Sequence, residues 1–320
     1  VTISVVVVSY NSEGFLEKNL ASLIDQSVKF KEIVVVDNHS ADNSITIIET
    51  FEKKYPEIRK IALDYNSGYA KGANIGIRET RSSLVLVANA DIILENRFNE
   101  RVLKKFEQDP ELSLLSPLIL RFDRETVDSA GQTYSKALHP SEIGFNRPAA
   151  NVDIRERPVF SVCGAATVFR REALERLKQE PGGDYYDEDF FIFWEDFDIG
   201  WRAQLLGMKT LFYPEARVYH FRSATLKKNF WSRFSLALAR PAFIKYHLVK
   251  NRYLTLIKNF RFRRFYWAIP FIILKDIIWV GLLTFRSPKI IISLMKSGKY
   301  IKRAFAKRRR LKQKTGESTK

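Results

Sequence analysis

The chain has 320 residues, enough for one large domain or one domain with an appendage, and at 46% hydrophobic content it can bury a sizeable core. Its single cysteine, Cys163, excludes an intrachain disulfide and a cysteine-rich metal site, and suits a reducing compartment. The net charge of +17 is uneven: residues 1–221 sum to −7 and residues 222–320 to +24, which marks a composition boundary and suggests a polyanionic partner for the basic part.

The opening VTISVVVVSY is too short and lacks the basic flank of a signal peptide; Ile3 to Val8 predicts a parallel strand covered on both faces. The polar turn Ser9-Tyr10-Asn11-Ser12 leads into a helical stripe of Phe15, Leu16, Leu20, Leu23 and Ile24. Ile33 to Val36 predicts a second strand, ending in Asp37-Asn38-His39-Ser40, and Ile45, Ile48 and Phe51 mark a second helix. Ile58 to Leu63 predicts a third strand, Asn66-Ser67-Gly68 a turn, and Ala70 to Arg78 a short helix holding Gly72, Asn74 and Gly76. Leu84 to Ala88 predicts a fourth strand, running into Asn89-Ala90-Asp91. This alternation implies an α/β fold, an open and mostly parallel sheet flanked by helices. Ligands of such sheets sit beyond the carboxyl ends of the strands, where Asp37, Asn66, Asn89 and Asp91 fall. The sequence has neither G-x-G-x-x-G after the first strand nor a Walker A motif, so a nucleotide would be held by side chains and a metal.

Residues 97–108 predict a helix and 112–120 a strand; 121–157, with Pro140 and Pro148, predict an extended loop or a hairpin able to cover a site. Val159 to Val168 predicts another strand, interrupted by Cys163-Gly164-Ala165-Ala166, whose small residues serve either a close ligand approach or tight packing. Cys163 lacks a cationic neighbour in sequence and is expected to be a buried structural thiol. The densest signal is FFIFWEDFDIGWRAQLLG, Phe190 to Gly207. Its apolar run meets Glu195, Asp196 and Asp198 in the first turn of a helix that Gly207 ends. Carboxylates beside such a wall are costly unless the helix dipole, Arg202 one turn on, a metal or a substrate compensates them. Lys209 to Tyr213 predicts a short strand, and Val218-Tyr219-His220 follows. From Asn229 on the pattern is helical. Residues 267–285 approach bilayer-spanning length, but Lys275, Asp276 and Pro270 favour an interfacial or re-entrant helix; Lys299 to Lys314 is densely basic.

The segments VVVVSYNSEGFLEKNLASL, VVVDNHSADNS, NSGYAKGANIGI, NAD and FFIFWEDFDIGWRAQLLG, in this order, resemble the family 2 inverting glycosyltransferases of the GT-A fold. Within them the chain looks most like the bacterial rhamnosyltransferase-like branch, which also includes galactofuranosyltransferases. The resemblance implies a GT-A domain over residues 1–225, followed by a helical, basic, membrane-associating region over 226–320. It implies a nucleotide-sugar donor bound by Ser9, Tyr10, Asn11, Asp37, Asn66, Gly68, Lys71, Asn74, Asn89 and Asp91, with Asp37 on the nucleoside. The family's D-x-D reads Asn89-Ala90-Asp91 here, an amide in place of one carboxylate; Asp91 and His220 would hold a divalent metal, Mg²⁺ or Mn²⁺. Asp196 matches the family's catalytic base, with Glu195 beside it to raise its pKa or orient the acceptor. Gly164 and Ala165 fall on the acceptor side, and Trp194 either stacks on a sugar or packs in the core. The expected activity is inverting transfer of a sugar, L-rhamnose by analogy, to a lipid-linked or polysaccharide acceptor in cell-envelope glycan synthesis. The alternative is a catalytically degenerate member that binds membrane or polyanion. No nucleic-acid module accompanies the basic region, so an anionic membrane surface is the expected partner, at the cytoplasmic face and in a peripheral or monotopic mode.

Overall fold

Valine-rich runs form the centre of the structure, a computed structural model that describes residues 1–178, 182–221, 240–286, 288–295 and 297–317. Strand β1 (Ile3–Ser9) is buried along its whole length, as its β-branched run requires. It is followed by α1 (Glu13–Ile24), β2 (Glu32–Asp37), α2 (Ser44–Lys54), β3 (Ile58–Ala62), α3 (Tyr69–Glu79) and β4 (Leu84–Asn89). These four strands pair in parallel in the order β3-β2-β1-β4. The chain moves outward from β1 through β2 to β3, then returns to the other side of β1. That reversal opens a crevice at the carboxyl ends of β1 and β4, where open α/β sheets bind ligands.

After β5 (Ile92–Leu94) and α4 (Phe98–Gln108) come β6 (Leu112–Arg121), β7 (Val127–Ser129), β8 (Gln132–Tyr134), β9 (Pro140–Glu142) and β10 (Arg157–Pro158). Strands β8 and β9 form a separate antiparallel hairpin within the segment expected to be a loop or a hairpin. Strand β11 (Ala166–Arg170) inserts antiparallel between β4 and β6. The strand expected over 159–168 therefore starts only at Ala166. Cys163 to Ala165 turn instead, with Ala165 C=O accepting from Asn89 N–H at 3.0 Å and Gly164 N–H donating to the Asp196 carboxylate at 2.9 Å. After α5 (Arg171–Leu177) and α6 (Glu195–Leu205), β12 (Lys209–His220) runs as one strand parallel to β6, with an irregularity between Tyr213 and Arg217 where the sequence suggested a break.

Helix α6 seats closely on the preceding segment. A Cβ at Gly200 would lie 1.8 Å from Ser161 Oγ, so only glycine permits the contact. The C-terminal part comprises α7 (Ala242–Asn259), α8 (Phe262–Phe265), α9 (Ile269–Arg286), α10 (Pro288–Met295) and α11 (Gly298–Lys314). Pro270 sits in the first turn of α9, where a helix tolerates proline best. The helical pattern of residues 229–239 and the boundary at 225/226 lie outside the described residues. Leu254 of α7, Phe265 of α8, and Ala304 and Leu311 of α11 share an apolar cluster with Phe190, Trp194, Phe197 and Trp201. The C-terminal helices thus pack on the segment that carries the acids.

Candidate active site

The acids sit behind a strained loop. Phe191, Phe193 and Trp194 have φ of 67°, 68° and 73°, a region that bulky residues adopt only when their surroundings enforce it. Helix α7 provides that enforcement: Asn251 Nδ2 donates to the carbonyls of Phe190, Ile192 and Phe193 at 3.0, 2.7 and 2.8 Å. Lys250 Nζ donates to Asp189 C=O at 2.5 Å, and His247 Nδ1 lies 3.1 Å from Phe190 C=O. From the opposite side, Gly68, with φ of 84°, leaves room for Phe191 C=O; a Cβ there would lie 2.6 Å from that oxygen.

The three acids differ in environment. Asp198 is fully buried and compensated: Arg202 Nε lies at 3.0 Å, Lys258 Nζ at 2.9 Å, and Asn259 Nδ2 donates at 2.7 Å. Asp196 faces a cavity of about 260 Å³. Its Oδ2 accepts from Gly164 N–H at 2.9 Å and Gln132 Nε2 at 2.8 Å, and its Oδ1 accepts from Phe197 N–H at 2.7 Å. Burial raises its pKa, and these donors only partly oppose the rise. Glu195 lies in the same cavity wall, buried, and Oε2 has no hydrogen-bond partner among the described residues. Burial first, and then the Asp196 charge, push its carboxyl well above the usual range. One carboxyl is thus anchored by three donors, and its neighbour is buried with one oxygen unused.

A second constellation forms where β12 pairs with β5, because that register sets His220 opposite Ile92 and beside Asp91. His220 Nε2 is 3.2 Å from Asp91 Oδ2, and its Nδ1 is 2.7 Å from Asp128 Oδ2 on β7. Burial disfavours the charged ring, but the Asp128 and Asp91 carboxylates outweigh it and hold the pKa up to about 9. The donor set fits a divalent cation that displaces the Nε2 proton and leaves a neutral ring held at Nδ1 by Asp128. Asp128 fixes the ring and leaves Nε2 converging with the Asp91 carboxylate, the arrangement that orients a ligating histidine. Among the described residues no third His, Cys, Asp or Glu completes the group, so the remaining ligands would be substrate phosphate and water, as Mg²⁺ and Mn²⁺ sites commonly use.

The expected donor residues divide. Tyr10, Asn11, Asn66, Gly68, Asn89 and Asp91 line a cavity of about 460 Å³ at the carboxyl ends of β1 and β4, which shares Tyr69, Asn89 and Ile192 with the Asp196 cavity. Asp37 lies at the end of β2 but spends both carboxylate oxygens on Ser40, at 3.0 and 2.6 Å. Ser9 is buried beneath the crevice. Asn74 points away, its amide bonded to the backbone of Tyr186 at 2.9 Å, and Lys71 Nζ is spent on the Tyr65 hydroxyl at 2.8 Å. The physical reason is helix phase: on α3 these two residues face the 184–188 segment and solvent. Gly164, Ala165 and Trp194 do line the Asp196 cavity, and Trp194 is also packed edge-on against Phe197. Cys163 is buried, with its thiol pushed up by burial. Asp128, Glu142 and Tyr69 also line this cavity, Gln132 donates to Asp196, and all four were missed, because three of them come from the irregular segment and no spacing ties them to the acids.

The open sheet with its crevice and strand-end acids is the GT-A fold. A mannosyltransferase from Pyrobaculum calidifontis, solved with GDP-Man and Mn²⁺, superposes with a TM-score of 0.55 at 15% identity, covering 98% of this chain and 85% of that one. Residues 4–178 match Glycosyl transferase family 2 and residues 96–295 match Glycosyl transferase family group 2; the chain belongs to glycosyl transferase family 2. It is 23% identical over 214 residues to the poly-beta-1,6-N-acetyl-D-glucosamine synthase of Staphylococcus epidermidis, covering 67% of this chain and 48% of that protein. It is 26% identical over 243 residues to the N-acetylglucosaminyl-diphospho-decaprenol L-rhamnosyltransferase of Mycobacterium tuberculosis, covering 68% and 76%. The chain thus spans about half the length of the first of these relatives.

Proposed function

We propose that the protein is an inverting glycosyltransferase that moves a sugar from a nucleotide-diphosphate donor to a lipid-linked acceptor. The observation that carries this is the pair of adjoining cavities: Asp91 and His220 flank the junction, and Asp196 lies in the second. The nucleotide occupies the crevice beyond β1 and β4, with its diphosphate toward Asp91. A divalent metal held by Asp91 and His220 would supply Lewis-acid stabilisation of the departing diphosphate. The acceptor hydroxyl meets Asp196, which takes its proton as the oxygen attacks the anomeric carbon from the face opposite the leaving group. Glu195, beside the base in the same cavity wall, orients the acceptor, and Tyr69, whose hydroxyl donates to Gly164 C=O at 3.1 Å, braces the turn that holds Asp196. A lipid-linked acceptor is favoured over a free polysaccharide because the apolar helix α9 is largely exposed beside this half of the molecule; Phe262 to Leu282 is long and apolar enough to cross a membrane by length and composition. The name of the mycobacterial relative supports L-rhamnose as the sugar and a diphospho-polyprenol as the carrier.

A nucleotide-sugar panel tests this. Thermal shift with Mn²⁺ is expected to single out one nucleotide family, and the same donor is expected to release nucleoside diphosphate slowly. Chelator is expected to remove both effects. Full turnover in excess chelator would overturn the metal role, and no response to any donor would favour a binding protein without catalysis.

A further inference from the structure

A third cavity, of about 230 Å³, lies between α7, α9 and the β8–β9 hairpin. It is lined by four cationic side chains, Arg240, Lys245, Arg252 and Lys275, against one carboxylate, Asp276, with Leu248, Trp279 and Val280 among the apolar walls. Arg252 is only 6% exposed and is ion-paired to Asp276 at 2.8 Å, yet its Nη1 has no hydrogen-bond partner among the described residues. A buried guanidinium with an unused donor, in a pocket of excess positive charge, fits an anion with several acceptor oxygens. The mouth adjoins the outer face of α9, where Ile273, Leu274, Ile277 and Ile278 are between 50% and 66% exposed. His139 connects the cavity to the acceptor site: it lines the cavity and sits edge-on to Trp194, with ring centroids 4.9 Å apart. Trp194 in turn lines the cavity of Asp196.

We propose that this cavity holds the phosphate-bearing head of the lipid acceptor through Arg252 and Lys275, with the tail along α9 and the sugar passing Trp194 to reach Asp196. The proposal rests on the lipid-linked reading above and adds the site. A bulk phospholipid head would satisfy the charge but carries no sugar to place at Asp196, and the link through His139 and Trp194 would then have no purpose.

The test uses the full chain in maltoside micelles with chelator present, so that no metal at Asp91 can capture a diphosphate. A short-chain isoprenyl diphosphate, phosphatidylglycerol and inorganic diphosphate are titrated separately, following tryptophan fluorescence. Saturable binding of the isoprenyl diphosphate, at least tenfold tighter than the other two, is expected. Arg252→Gln and Lys275→Gln are each expected to weaken it fivefold or more. Lys275 is partly exposed, so its variant keeps the fold even if Arg252→Gln does not, and an unchanged unfolding temperature confirms this. Equal binding of phosphatidylglycerol, or unaltered binding in Lys275→Gln, would overturn the proposal. If the site binds as described but no lipid-linked sugar accepts transfer, the lipid-linked reading fails and the anion site stands.

Discussion

At Asp196, burial and hydrogen bonding oppose each other, and that balance is measurable. Burial raises the carboxyl, while the donors from Gly164, Phe197 and Gln132 lower it. A base must be deprotonated to act, so kcat/KM falls on the acid side, with the limb placed above the ordinary carboxylate range. Gln132→Leu removes one stabilising donor from the charged form. Its acid limb is expected to move upward by about one to two pH units, since a hydrogen bond to a charged group contributes ~1.5–3 kcal/mol and one unit is ~1.4 kcal/mol. An unmoved limb would show that Asp196 is not the titrating base. The place of Asp196 at a helix start was legible in the sequence, since a carboxylate behind an aromatic run there is a local pattern. Gln132 lies 64 positions upstream of its partner, and Asp128 lies 92 upstream of His220, so neither pairing leaves a local trace.

At the scale of elements, the four parallel strands and their helices were readable because continuous apolar runs and 3.6-residue stripes are set by burial of one element at a time. The strand expected over 159–168 was misplaced because its turn is imposed from outside, by the Asp196 carboxylate holding Gly164 N–H. The basic C-terminal third was read as a surface-seeking tail, yet several of its cations turn inward. Lys258 is fully buried against Asp187 and Asp198, and Lys307 lies against Asp187 and Asp189. For Asp187, burial works against the charge, but Lys258 and Lys307 outweigh it and hold the carboxyl well below its usual range. Helix α7 therefore has a task that composition alone did not show: Asn251 holds the strained 190–193 carbonyls ahead of Asp196. Asn251→Ala is expected to lower kcat more than tenfold while the unfolding midpoint drops only modestly, as the loop relaxes from positive φ. Steady-state kinetics beside urea unfolding would check this. A proportional loss of stability and activity, or no kinetic effect, would assign α7 to packing alone.

For the molecule as a whole, charge and apolar surface point the same way. The part up to residue 221 is net acidic and the remainder carries +24, so an anionic surface attracts the C-terminal part of the chain and not the rest. Each Lys or Arg close to such a surface contributes about 1 kcal/mol, and the exposed face of α9 adds apolar burial. Full-length protein is expected to co-sediment with phosphatidylglycerol vesicles at low salt, and the pair Leu274→Glu with Ile277→Glu is expected to release it by tenfold or more. Cutting the chain before α7 would be a poor control, since that helix packs on the acid-bearing loop. Retention of the double variant at wild-type level would reject α9 as the membrane face. The most direct test of the central claim compares wild type with Asp196→Asn, using the donor that the nucleotide-sugar panel identifies. The amide keeps the shape but cannot take the acceptor's proton. Transfer is expected to fall by at least a thousandfold, while donor affinity, read by thermal shift, stays within a few-fold. Near-normal turnover in Asp196→Asn would contradict base catalysis at this residue.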